Sequence, residues 1–137
     1  MFELKTGVLL RYCAESGAMI ALNDAAGASR EVNTLGRLAM SVAVAFQMRD
    51  DYLGIFGDEA KFGKPVGSDL SEGKITLLLL KSLENLPESG RRELLGSLGH
   101  SSYNMDELSR VRELMVDSGA VDFVQKREEE LSAAALA

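Results

Sequence analysis

A chain of 137 residues with 46% hydrophobic content is long enough and apolar enough to bury a core, which excludes an intrinsically disordered segment. Its 15 basic side chains against 21 acidic ones give a net charge of −6, which argues against a nucleic-acid surface. Two prolines and an abundance of Leu, Ala, Glu, Lys and Met predict an all-α fold. A single cysteine, Cys13, excludes an internal disulfide and fits a reducing, cytoplasmic compartment. Arg11 and Glu15 break the first apolar segment, so it does not read as a secretory signal. No apolar run approaches the roughly 18 residues of a transmembrane span.

In chain order, Val8, Leu9, Cys13 and Ile20 with several alanines predict a helix from about Leu4 to Leu22, with a broad buried stripe that would bury Cys13. The small residues from Asn23 to Ala28 predict a turn. Ser29 is placed to cap a second helix, with Glu31 in its first turn and a buried stripe of Val32, Leu35, Leu38, Ala39, Val42 and Phe46. That helix is expected to end near Leu53. Thr76 to Leu86, with four consecutive leucines, predicts a helix buried over most of its circumference. Pro87 separates it from a short amphipathic helix over Glu88 to Leu98. Asn104 followed by Glu107 reads as a capping box for a helix through Leu108, Val111, Leu114 and Met115, stopped at Gly119. A last helix covers Val121 to Leu136. Met19, Met40 and Met48 read as core filler and His100 as a surface residue. With no internal repeat or linker, the expectation is a single helical domain over residues 1–137, built from five or six helices.

The chemistry concentrates between Phe46 and Lys74. Gln47, Asp50 and Asp51 fall three and four residues apart, so at helical pitch an amide and two carboxylates share one face. Near a helix C-terminus each anion costs a few tenths to about 1 kcal/mol, so a positive partner is required. On composition alone the two aspartates read as a solvated helix end balanced by Arg49 or Lys61. The alternative is a hard divalent cation: Mg²⁺ takes oxygen ligands and bridges one or two carboxylates to substrate phosphates. Lys64 and Lys74, each beside a glycine, suit a phosphate-bearing ligand approached closely by backbone and ammonium groups.

The order of these residues, F-Q-x-x-D-D, then G-D, then G-K-P-x-G-x-D-L-x-x-G-K-x-T from Phe46 to Thr76, resembles the second aspartate-rich region of the trans-isoprenyl diphosphate synthases, or polyprenyl synthetases. Lys5, Thr6 and Gly7 resemble the K-T-G that precedes it in that family. The resemblance implies a helical bundle of the isoprenoid synthase type. It also implies transfer of an allylic diphosphate (dimethylallyl, geranyl or farnesyl) onto isopentenyl diphosphate, with Mg²⁺ assisting ionisation. Carried over residue by residue, Asp50 and Asp51 bind the metal, and Lys5, Lys64 and Lys74 bind the diphosphate. Lys5, Thr6 and Gln47 form the catalytic set, the last two beside the nascent carbocation. The G-K-P-x-G-x-D signature speaks for chain elongation over terpene cyclisation on the same fold.

Two departures stand out. Where the family's motif reads D-D-x-x-D, position 54 is Gly54. Family members are also longer and carry a first aspartate-rich motif upstream, which these 137 residues do not contain. The chain therefore resembles a C-terminal half, expected to be inactive by itself and to self-associate as a homodimer or higher oligomer. The alternative is a noncatalytic helical subunit that binds a partner chain bearing the first motif.

Overall fold

The computed structural model describes residues 3–58 and 66–136, and among them every regular element is helical. A π-helical turn, Glu3–Gly7, runs into α1 (Val8–Leu22). It is followed by α2 (Arg30–Phe56), α3 (Ser68–Ser71), α4 (Leu77–Asn85), α5 (Glu88–Gly96), α6 (Met105–Asp117) and α7 (Ala120–Leu136). All six helices expected from periodicity form, and the single turn α3 is added in the glycine-rich segment. No helix of the described residues is long and apolar enough to cross a membrane. The backbone groups into two compact units, Met1–Gln47 with Arg127–Ala137, and Met48–Lys126.

In the first unit, the αL conformation of Asn23 ends α1, its N–H reaching the Ile20 carbonyl and that of Asp24 reaching Met19 at 2.9 Å. The Asp24 carboxylate then accepts the Ser29 N–H at 2.8 Å, and Ser29 Oγ accepts the Val32 N–H, so the expected cap starts α2. The two helices meet at Gly36, where a Cβ would overlap the Glu15 side chain. That close approach decides which face is buried. Val32, Gly36, Ala43 and Gln47 lie inward, while Leu35, Val42 and Phe46 of the expected stripe are exposed. The α1 stripe is likewise outward: Leu9 is 66% and Ile20 82% exposed, and Cys13, expected to be buried, is exposed. Large side chains cannot enter a contact set by Gly and Ala, so the small-residue face wins.

The second unit is built around Ile55, Leu70, Leu78, Leu79, Leu94, Val111 and Met115, all fully buried or nearly so. Helices α4, α5 and α6 pack against one another. Thr76 caps α4 by accepting the Leu79 N–H at 3.1 Å. The capping box on α6 forms in both directions, with Asn104 and Glu107 exchanging bonds of 2.9 Å. The leucine run is buried at Leu78 and Leu79 but exposed at Leu80, so α4 presents one open side instead of being enclosed.

Candidate functional site

The end of α2 carries the acidic pair, and the helix continues one turn further than the sequence suggested, to Phe56. Asp50 and Asp51 therefore lie before the last turn, upstream of the stretch where the helix dipole acts most strongly. What makes Asp51 costly is burial: it is 3% exposed. An isolated buried carboxylate is not tolerated, and Lys74 supplies a countercharge. The Lys74 ammonium donates to Asp51 Oδ1 at 2.8 Å and to Asp69 Oδ2 at 3.0 Å. Burial alone would push the Lys74 pKa down, but the hydrogen bonds and charges of Asp51 and Asp69 outweigh it, and the net shift is upward from 10.5.

Local backbone chemistry delivers these groups. Gly67, at φ 87°, donates its N–H to the Gly54 carbonyl at 2.9 Å and thereby docks the loop on α2. The turn α3 follows, its Leu70 carbonyl accepting the Gly99 N–H at 2.9 Å. Gly73, at φ 63°, reverses the chain so that the Lys74 N–H returns to the Asp69 carbonyl at 2.8 Å. The Asp69 carboxylate then lies against Gly54: a Cβ there would sit 2.8 Å from Asp69 Oδ2. The position lacking the motif's third aspartate is thus where another aspartate comes to rest.

The α2 terminus has a second cation that sequence reasoning missed. Arg112, on α6, donates Nε–H to the Ile55 carbonyl at 2.8 Å and stands over the Phe56 ring, which stacks on Tyr52. A guanidinium on a terminal carbonyl answers the dipole directly.

The first unit holds the other site candidates. Lys5 and Thr6 lie on the π-helical turn, a geometry that recurs at functional positions. Lys5 is exposed. The Thr6 hydroxyl donates to Gln47 Oε1 at 3.1 Å, and Gln47 is 8% exposed, so the two residues assigned to one catalytic role are joined. Lys64 lies outside the described residues. Lys74 is joined to Asp51 and Asp69. His100 is exposed and stacks on Tyr103, in keeping with its surface reading.

As donors for Mg²⁺ the adjacent carboxylates fit. The ion binds through one or two carboxylates plus water and substrate phosphate, not through an all-protein cage. Among the described residues no group of three or more His, Cys, Asp or Glu forms such a cage.

A helical fold carrying this ordered acid, lysine and glycine segment defines a class, and the comparisons agree on it. Residues 1–115 match the polyprenyl synthetase family, and the chain belongs to that family. It is 41% identical over 128 residues to a geranylfarnesyl diphosphate synthase of Aeropyrum pernix, covering 93% of this chain and 37% of that protein. It is 38% identical over 109 residues to a geranylgeranyl diphosphate synthase of Sulfolobus acidocaldarius, covering 79% of this chain and 32% of the relative. The crystal structure of a geranylgeranyl pyrophosphate synthetase from Pyrococcus horikoshii superimposes with a TM-score of 0.83 at 30% identity, covering 98% of this chain and 39% of that one. A geranylgeranyl pyrophosphate synthase from Corynebacterium glutamicum, solved with isoprenyl diphosphate and magnesium, gives a TM-score of 0.79 at 28% identity, over 96% of this chain and 37% of that one. The chain spans about a third of the length of the curated relatives it matches.

Proposed function

We propose that this chain supplies the second acidic face of a trans-prenyltransferase that elongates dimethylallyl, geranyl or farnesyl diphosphate with isopentenyl diphosphate. The observation that carries the reading is the buried Asp51 held by Lys74 at the end of α2, beside Asp50, in a family whose named relatives make prenyl diphosphates. Asp50 and Asp51 would hold Mg²⁺. When bound, the ion supplies electrostatic stabilisation of the departing diphosphate.

The protein's own part is positioning and charge. Negative charge grows on the diphosphate oxygens as the allylic carbon–oxygen bond breaks, and ammonium groups at Lys5, Lys64 and Lys74 stabilise it more as it develops than before. The Thr6 and Gln47 pair would present oxygen dipoles to the allylic cation. Apolar helix walls exclude water that would otherwise quench it. The proton lost in forming the new double bond goes to the released diphosphate, so no side-chain base is required.

The reading includes three further parts. The 137 residues alone turn over little or no substrate, because they hold a single aspartate-rich motif. They work in the cytoplasm, and they self-associate through exposed apolar side chains. Incubating the chain with Mg²⁺, isopentenyl diphosphate and each allylic diphosphate tests the first part. The expected result is no elongation by the chain alone, with product formed once a polypeptide bearing the first motif is added. Robust elongation by the chain alone overturns the claim of inactivity, and no product in the mixture overturns the catalytic reading.

The second reading, a noncatalytic subunit for such a partner, is favoured by the exposed apolar residues of α1 and α2. It predicts tight association with the partner without product.

A further inference from the structure

We propose that Lys74 and Asp69 are positioning residues for Asp51, fixing the orientation of that carboxylate through a bridge that the glycine at position 54 admits. The proposal deepens the diphosphate reading and rests on it, since Asp51 is a proposed metal ligand there.

A carboxylate at a helix end can rotate about its side-chain bonds, and a metal ligand that rotates gives up affinity. Asp51 lacks that freedom, because its Oδ1 is tied to Lys74 at 2.8 Å and fixing one oxygen fixes the plane of the other. Lysine alone would be a poor clamp, because its long stem has several rotors. Here the stem is held at both ends. The Lys74 N–H bonds to the Asp69 carbonyl at 2.8 Å, and the Lys74 ammonium bonds to the Asp69 carboxylate at 3.0 Å.

Asp69 is itself held in place. Its turn is docked on α2 by the Gly67 to Gly54 bond and secured by the Gly99 to Leu70 bond, both 2.9 Å. Its carboxylate sits where a side chain at 54 would project. Two of the three ammonium protons of Lys74 are committed to this bridge, which holds Asp51 in orientation and leaves one N–H for a phosphate oxygen.

The test uses the 137-residue chain with carbon-detected NMR of the aspartate carboxyl groups, together with binding of Mn²⁺ plus inorganic pyrophosphate as the probe. In Lys74→Met the Asp51 carboxyl resonance is expected to shift or broaden, while that of Asp117 stays. Pyrophosphate with Mn²⁺ should bind about 10- to 100-fold more weakly, the range seen when a supporting partner of a metal ligand is removed. Lys74→Arg should restore most of both. If Lys74→Met does not fold, Asp69→Asn, which keeps the shape and removes the charge, should move the Asp51 resonance in its place. An Asp51 resonance unchanged in both variants overturns the proposal. Failure of the wild-type chain to bind Mn²⁺ with pyrophosphate instead overturns the diphosphate reading, and the resonances still decide whether Lys74 orients Asp51.

Discussion

The Asp69 carboxylate occupies the space beside Gly54 that any larger residue would need, with Oδ2 2.8 Å from where a Cβ would stand. In an exposed helix interior Gly→Ala is worth about 1 kcal/mol of added stability. At position 54 the new methyl must displace a carboxylate already bound to Lys74, and overpacking of that kind costs about 1–3 kcal/mol. The cost wins, so Gly54→Ala should lower stability by about 1 kcal/mol net. Gly17 is the control: it is helical with nothing near its Cβ position, so Gly17→Ala should raise stability by about 1 kcal/mol. Thermal melts of the two variants should move in opposite directions. A Gly54→Ala chain that melts higher than wild type would show that Asp69 yields freely.

Arg112 makes the second contact on which the α2 terminus depends. Its Nε–H bonds to the Ile55 carbonyl while the guanidinium lies over Phe56. A charged hydrogen bond of this type is worth about 1.5–3 kcal/mol, so Arg112→Ala should cost that amount in urea unfolding. Arg112→Lys keeps the charge and loses the planar overlap with the ring, so it should recover only part of the loss. Equal midpoints for wild type and Arg112→Ala would show that the bond adds nothing.

The helices were legible because their signals are local. Ser29, Asn104 with Glu107, Pro87 and Gly119 each act within a turn of themselves, and the structure uses all four at the expected ends. The acidic pair was legible through motif order. The bond from Lys74 to Asp51 was less so, because 23 residues separate the two and the docked Gly67 turn is what brings them together. Arg112 lies 57 residues from Ile55 and carried no pattern to mark it. The buried face of α2 was misread because periodicity weights large apolar residues. The contact with α1 is instead made at Gly36, on the face that buries Ala43, leaving Phe46 outside at 69% exposure.

Acid should loosen the turn between α1 and α2. Asp24 accepts the Ser29 backbone N–H and interacts with its hydroxyl, which holds its carboxyl below the ordinary 3.8. A folded pKa below the unfolded one contributes stability that is present above pH 3.8 and is lost as pH falls through the lower folded value. Asp24→Ala should therefore melt below wild type at neutral pH, and the gap should close as the pH drops through that window. A gap that stays constant down to pH 2 would show that Asp24 acts without its charge.

The exposed faces of α1 and α2 should govern association. Leu9, Tyr12, Cys13 and Ile20 are spaced to share one side of α1, and Leu35, Val42 and Phe46 share one side of α2. Burying a side chain such as Leu or Ile fully is worth about 1.5–3 kcal/mol, so a second copy covering several of them gains enough to associate at micromolar concentrations. Leu9→Glu with Ile20→Glu places charge on that face at positions already in solvent, where substitutions shift stability by no more than about 0.5 kcal/mol each. Sedimentation velocity across a concentration series should show wild type shifting to larger species and the double variant staying small, with helical circular dichroism unchanged. Equal self-association of the two proteins would remove the α1 face from the interface.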